Sequence, residues 1–341
     1  MGQTLSFTLK FFGDQLFAKL PETHADLTGR TFLVTGSNTG IGLGLAIHLA
    51  RLQPAQLILA VRDLKKGEAA KESILRETGF KGSLEVWELD MADFASVKRF
   101  AERANRTLKR LDGANLNAGM SSYRWGMTPD GWESILQINA LSTGLLAVLL
   151  LPLLQATTRL PPPHPDASKT PPHLTITGSA GIFLAKFAER SGTQILKTLN
   201  DESKSDIMDR YFTSKILSLF ITREIANLSQ AEGVVVNIVD PGLCSSEIGR
   251  DLEFSAFSKS TCFAFWMMGK ISWTPSKGAL NLLYALLLPT PPGCYITACA
   301  VTPPPSWTRT KKGLDLQTKV WSEMVKVWEE IAPEVSGILA G

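Results

Sequence analysis

The chain has 341 residues, 44% hydrophobic and 20% charged, enough apolar material for one large α/β domain or two small ones. Lys and Arg number 35 against 32 Asp and Glu, a net charge of +3, and no basic stripe interleaved with aromatics appears, which excludes nucleic acid as an expected partner. Four cysteines without CxxC pairs and four histidines without HExxH spacing argue for reduced core thiols in a cytoplasmic setting and against a metal site.

Residues 1–28 read as a leader. Met1-Gly2-Gln3-Thr4-Leu5-Ser6 fits an N-myristoylation pattern, and Phe7, Phe11, Phe12, Leu16, Phe17 and Leu20 form an apolar stripe beside Lys10, Asp14 and Lys19. That pattern is either a weak membrane-surface contact, a helix docked on the domain or a loose leader. No charged start, apolar block and small-residue cleavage site occur in order, so no secretory signal is expected.

Strand-like runs then alternate with amphipathic stretches. Strands are predicted at Thr31–Val34, Gln56–Val61, Leu84–Leu89, Ala114–Leu116, Leu174–Thr177, Val234–Val239 and Tyr295–Ala298. Helices are predicted from Leu43 to Leu52, 64–77, 94–108, 132–158, 208–228, 276–288 and 321–331. Such alternation implies parallel βαβ units with right-handed crossovers, a doubly wound Rossmann-type sheet in a single domain over 29–301. Residues 302–341 remain as a C-terminal extension with a helix. Leu145–Leu154 is too short by itself to span a bilayer and reads as a buried helix, or one that pairs with a second subunit in a homodimer. The prolines of 161–172 cannot extend that helix and predict an exposed, polyproline-like insertion.

Thr35-Gly36-Ser37-Asn38-Thr39-Gly40-Ile41-Gly42 sits between the first strand and its helix. Glycine permits positive φ and close phosphate approach, and a helix starting near Ile41 offers unpaired N–H groups to a pyrophosphate. Four other features fall at or near the same C-terminal sheet edge: Asn117-Ala118-Gly119, Asn139 in the next helix, Thr177-Gly178-Ser179, and the Tyr211-Phe212-Thr213-Ser214-Lys215 run. Tyr211 and Lys215, four apart on a helix, share a face.

Together these residues resemble the short-chain dehydrogenase/reductase family in its TGxxxGxG short form, from about Gly29 to Val301, closest to its retinol-dehydrogenase-like branch and similar to fungal enzymes of secondary metabolism. The resemblance implies that Thr35, Gly36, Ser37, Asn38, Gly40, Ile41 and Gly42 form the cofactor turn. Asp90 would contact the adenine, and Asn117, Ala118 and Gly119 the family's NAG segment. Pro241 and Gly242 would border the nicotinamide. Asn139, Ser179, Tyr211 and Lys215 match the catalytic tetrad, with Tyr211 and Lys215 also touching the cofactor. Asn139 would hold a water linking the lysine to solvent. Leu116 stands where the family often has Asn, and 31 residues separate Ser179 from Tyr211, which predicts a loop over the site mouth.

Cofactor choice turns on the end of the second strand. Val61 takes the position of an NAD-type acid and Arg62 follows, so NADP is expected over NAD; a shift of one residue would instead place Asp63 at the ribose. Residues 243–275 read as a substrate lid, oily through Phe254, Phe257, Phe263, Phe265, Trp266, Met267 and Met268. That composition suits a lipophilic carbonyl or secondary alcohol, or else a membrane- or subunit-facing patch. The expected activity is an NADP-dependent ketoreductase. The alternatives are a redox-neutral cyclase or isomerase and a non-catalytic cofactor-binding protein on the same fold.

Overall fold

The computed structural model describes residues 2–164, 170–245 and 269–341, with residues 2–8 described through their backbone alone. The lid aromatics and methionines from Phe254 to Met268 therefore lie outside the described residues.

Eight strands form one sheet: β1 (Thr31–Thr35), β2 (Gln56–Val61), β3 (Ser83–Glu88), β4 (Gly113–Leu116), β5 (His173–Thr177), β6 (Val235–Val239), β7 (Tyr295–Thr297) and β8 (Ala300–Val301). Their spatial order is 3-2-1-4-5-6-7-8, parallel up to β7, with β8 turned back antiparallel on it. β1, β4 and β5 are buried along their whole length. Strands covered on both faces read as continuous apolar runs, which is why their positions were predicted to within a residue. The order reverses at β1 and β4, and that reversal opens a crevice beyond their carboxyl ends.

One face of the sheet carries α2 (Gly40–Arg51), α3 (Leu64–Thr78) and α8 (Pro275–Leu287), packed through Leu45, Leu49, Ile74, Leu282 and Leu286. The other carries α4 (Phe94–Thr107), α5 (Ser134–Thr158) and α7 (Ile207–Ala226), packed through Val97, Phe100, Leu145, Leu149, Ile216 and Phe220. The first helix, α1 (Gly2–Phe17), lies outside this pattern.

Three expectations change. First, α5 runs for 25 residues, long and apolar enough by itself to cross a bilayer, but its apolar window is 89% buried inside the chain. It is covered by α9 (Lys311–Ile331) and α10 (Glu334–Ala340) from the C-terminal extension. A Cβ at Gly144 would stand 2.4 Å from the Trp328 indole, and Trp328 Nε1 donates to the Leu141 carbonyl at 2.9 Å. The apolarity of 145–154 is thus satisfied within one chain and gives no reason for a second subunit there.

Second, α9 starts ten residues earlier than the predicted 321. Thr310 caps it, accepting from the Gly313 amide at 3.2 Å, and the polar first half still buries Gln317 and Val320. Third, the segment between Ser179 and Tyr211 is a folded layer rather than a loop over the site. It contains short 3-10 turns and α6 (Ile195–Leu199), which buries Ile195, Leu196 and Leu199 and receives the Glu323 carboxylate of α9 on the Ile195 and Leu196 amides. Asp209 accepts from the Lys186 and Phe187 amides, both at 2.9 Å, and so holds Phe187 at φ 44°. The proline segment, where described, forms no helix; Pro161 and Pro162 are exposed.

Candidate active site

Thr35 ends β1 and is tied at once to the end of β4. Its Oγ1 accepts from the Ala118 amide at 2.9 Å, and Asn117 Nδ2 donates to the Thr35 carbonyl at 3.0 Å. Gly36 and Gly40 adopt φ of 65° and 59°, the left-handed region glycine tolerates. A Cβ at Gly42 would stand 2.4 Å from the Gly36 carbonyl oxygen and 2.5 Å from Asn117 Nδ2. Only glycine lets the turn fold this tightly.

The turn also leaves donors unspent. The helices α3, α4 and α7 are capped by the carboxylates of Asp63, Asp93 and Asp206, but Thr39 makes no side-chain cap at the start of α2. Nearby, Ser37 Oγ is buried with no hydrogen-bond partner among the described residues. Uncapped amides and an orphaned hydroxyl suit an anionic oxygen such as a cofactor phosphate. Asn38 and Ile41, half-buried, complete the turn.

At the end of β2, Val61 is buried and closes the strand. Asp63 is spent as the α3 cap, accepting from the Lys66 amide at 3.1 Å. Arg62 between them is exposed and forms no ion pair among the described residues. The one-residue shift that would bring Asp63 to a ribose is therefore disfavoured by its cap. Asp90, after β3, accepts from the Ala92 amide at 2.9 Å and is half-buried.

The expected tetrad residues come together at the neighbouring edge. Ser179 follows β5 and accepts from the Gly181 amide at 3.0 Å, and its hydroxyl lies close enough to the Tyr211 phenol to favour the ionised form. One turn along α7, Lys215 Nζ donates to the Thr177 carbonyl at 2.9 Å and lies 5.7 Å from the Tyr211 ring centre. Gly119 closes the group: a Cβ there would be 3.1 Å from Asn139 Oδ1 and 3.7 Å from Lys215 Nζ. Burial pushes the Tyr211 phenol up to about 12 and brings the Lys215 ammonium down to about 8.

Asn139 sits in a π-helical turn, Gln137–Leu141, inside α5. Such turns concentrate at functional sites. Its Nδ2 donates to the Met120 carbonyl at 2.8 Å and to Ser214 Oγ at 3.0 Å, while its Oδ1 accepts from the Met120 amide at 2.8 Å. Both amide donors are spent on Met120 and Ser214, so this side chain clasps the turn after Gly119.

Asp240, directly before Pro241 and Gly242, joins the site only in the folded chain. It is buried, accepts from the Gly242 amide at 3.1 Å and from Thr297 Oγ1 at 3.0 Å, and its charge acts on both Tyr211 and Lys215. Burial raises its own carboxyl. Tyr123 also lies close enough to act on the Tyr211 phenol. No spacing in the sequence links either residue to the tetrad. A cleft of about 900 Å³ between α6 and α9, lined by Trp125, Trp132, Leu196, Asn200 and Val327, includes none of the tetrad residues.

Known proteins resemble this chain in sequence and in fold. A family model described as short chain dehydrogenase matches residues 30–159. The short chain dehydrogenase atnD of Emericella nidulans is 40% identical over 254 residues, covering 74% of this chain and 78% of the relative. The short chain dehydrogenase/reductase dmxR8 of Cryptosporiopsis sp. is 35% identical over 337 residues, covering 96% and 98%. Among solved structures, one from Mycobacterium Paratuberculosis superposes with a TM-score of 0.64 at 24% identity, covering 92% of this chain and 97% of that one. A short chain dehydrogenase of Shigella flexneri complexed with NADP superposes at 0.53 with 22% identity, covering 82% and 100%. At these identities the two structures speak for the fold alone.

Proposed function

The chain belongs to the short-chain dehydrogenase/reductase family, and on that premise we propose that it is an NADP-dependent ketoreductase acting on a lipophilic small molecule. The observation that carries this reading is the meeting of Ser179, Tyr211 and Lys215 at the sheet edge next to the uncapped start of α2. The turn Thr35–Gly42, Asp90 and the segment Asn117–Gly119 would hold the dinucleotide, and Arg62 would meet the extra phosphate that distinguishes NADP. When bound, the reduced nicotinamide supplies a hydride.

The chain's own groups handle the oxygen. Ser179 Oγ, beside the Tyr211 phenol, orients the substrate carbonyl toward that phenol. Tyr211 gives its proton to the oxygen as negative charge develops there. The Lys215 cation, fixed on the Thr177 carbonyl, favours the tyrosinate that results. Asn139 and Gly119 keep the space beside Lys215 open and ordered. The lipophilic substrate is supported by the aromatic and methionine content between residues 243 and 275.

The outward face of α1 exposes Leu9, Phe12, Leu16 and Phe17, which supports a weak membrane-surface contact, to be measured by vesicle flotation. The decisive experiment follows NADPH oxidation against a panel of steroid-, retinoid-, polyketide- and terpenoid-like ketones. Tyr211→Phe is expected to lower kcat by about 10²–10⁴ while leaving NADPH binding nearly unchanged. Undiminished turnover in that variant would sink the mechanism.

A further inference from the structure

The helix α1 reaches the site from outside the dinucleotide fold. On it, Gln15 is only 3% exposed. Its Nε2 donates to the carbonyls of Leu243 at 2.8 Å and Ile271 at 2.9 Å, and its Oε1 accepts from the Leu243 amide at 3.1 Å. Its backbone carbonyl accepts from Trp273 Nε1 at 2.7 Å. A carboxamide has two N–H donors and an acceptor oxygen, and here both donors serve backbone carbonyls 228 and 256 residues away in the chain.

The two segments that Gln15 joins also bond each other. The Trp273 amide donates to the Leu243 carbonyl at 2.8 Å, and the Ser245 amide to the Trp273 carbonyl at 2.9 Å. The Trp273 ring then presses on Gly242, where a Cβ would stand 2.6 Å from it. Gly242 in turn donates its amide to Asp240, whose charge acts on Tyr211 and Lys215. The helix α1 also packs against the turn Ala180–Phe183, directly after Ser179. Contacts of α1 therefore reach both segments that flank the reacting centre, through Gln15 to the Gly242 turn and through the helix itself to the turn after Ser179.

We propose that Gln15 is a positioning residue for the substrate side of the site, fixing Leu243 and Trp273 against the Gly242 turn so that a carbonyl meets Tyr211 in register. This rests on the hydride-transfer reading above. It makes α1 a working part of the enzyme, outside the βαβ core that supplies the cofactor turn and the tetrad.

The test uses the full chain with Gln15→Met and Gln15→Glu. Methionine removes every side-chain bond at any pH. An ionised carboxylate has no donor and faces two carbonyls; once protonated it can donate to one of them and still accept from the Leu243 amide. Burial raises the pKa of such a carboxyl, which brings the recovery into reach near pH 6. The titratable groups on the segments that meet at position 15 are, among the described residues, Lys10, Asp14 and Lys19 along the first segment, Asp240 and Cys244 beside the Gly242 turn, and Lys270 and Lys277 flanking Trp273 in the chain. Both variants share their effect on the rest of the site; on the introduced carboxyl, absent in Gln15→Met, the aspartates add to the rise in pKa and the lysines oppose it.

At pH 8 both variants are expected to raise the ketone KM about tenfold with the NADPH Kd within about twofold, since a tenfold change matches the loss of one good polar contact. At pH 6 the Gln15→Glu variant recovers and Gln15→Met does not. Hydrogen exchange of the segments 242–245 and 271–273 is expected to follow the same pattern. Unchanged KM and exchange would overturn the proposal. Equal loss of ketone and NADPH binding with no recovery at pH 6 would reduce Gln15 to general structure and overturn it too. Exchange needs no turnover, so a wild-type chain that reduces no ketone counts against the hydride-transfer reading, and the exchange pattern still decides on Gln15.

Discussion

Lys215 donates its ammonium to the Thr177 carbonyl at 2.9 Å, which anchors the cation of α7 to the last residue of β5, two positions before Ser179. Burial holds Lys215 near 8 and Tyr211 near 12. Across the neutral range the phenol therefore keeps its proton and the lysine is the group that changes charge. For ketone reduction, kcat/KM is expected to be level below about pH 8 and to fall above it, as the cation that favours tyrosinate is lost. A profile flat to pH 10 would show that Lys215 plays no part.

The same shift has the opposite sign for stability. Lys215 titrates below the 10.5 of a free lysine, so between about 8 and 10.5 the unfolded chain binds more protons and this group's contribution to stability rises with pH. Lys215→Met is expected to abolish turnover and to flatten that part of the pH dependence of Tm. Thermal unfolding at pH 7.5 and 9.5 makes the comparison; an unaltered slope would mean that Lys215 is not desolvated.

Asp240 acts on Lys215 through its negative charge and raises it against the desolvation that lowers it. Asp240→Asn is expected to move the break in the reduction profile to lower pH by roughly one unit, the scale of a nearby opposite charge. A break that stays in place would show that the Asp240 carboxyl is already protonated, the direction in which burial drives it.

Arg62 stands exposed between a buried strand end and a helix-capping aspartate. Arg62→Ala is expected to raise the KM for NADPH by about tenfold or more and leave the KM for NADH nearly unchanged, because only NADP carries the phosphate a guanidinium would meet. Equal effects on both would make Arg62 a surface residue.

Trp328 is fully buried, fills the space left by Gly144 and bonds the Leu141 carbonyl within the π-turn of Asn139. Trp328→Ala is expected to cost about 3–5 kcal/mol of stability through the cavity it leaves. Trp328→Phe keeps most of the volume and loses the N–H bond, for about 1 kcal/mol. Denaturant unfolding distinguishes them; similar losses in the two would mean that the bond, rather than the packing, dominates.

The strands and the order of motifs were legible because their signals are local. A parallel strand covered on both faces is apolar along most of its length, so the run that ends Gln56–Val61 marks that strand in the sequence. Glycines at 36, 40 and 42 mark a turn whatever surrounds it. The start of α9 was missed because Lys311–Val320 is polar on most sides and its cap, Thr310, stands in an unremarkable run. The folded layer after Ser179 was missed because its order depends on Asp209 and Glu323 binding backbone amides, which charged residues in a sequence do not announce.

By itself the sequence determined the doubly wound sheet, the glycine turn and the edge on which Ser179, Tyr211 and Lys215 meet, since periodicity and spacing specify how elements alternate and where their ends lie. Tertiary structure alone decided that Asn139 spends its amide on Met120, that α9 and α10 cover α5, and that Gln15 binds Leu243 across 228 positions. The physical reason is that an amide, an indole or a carboxylate carries the same chemistry wherever it stands. Its partner is chosen only when folding brings distant backbone groups within hydrogen-bonding distance and burial makes leaving them unpaired costly.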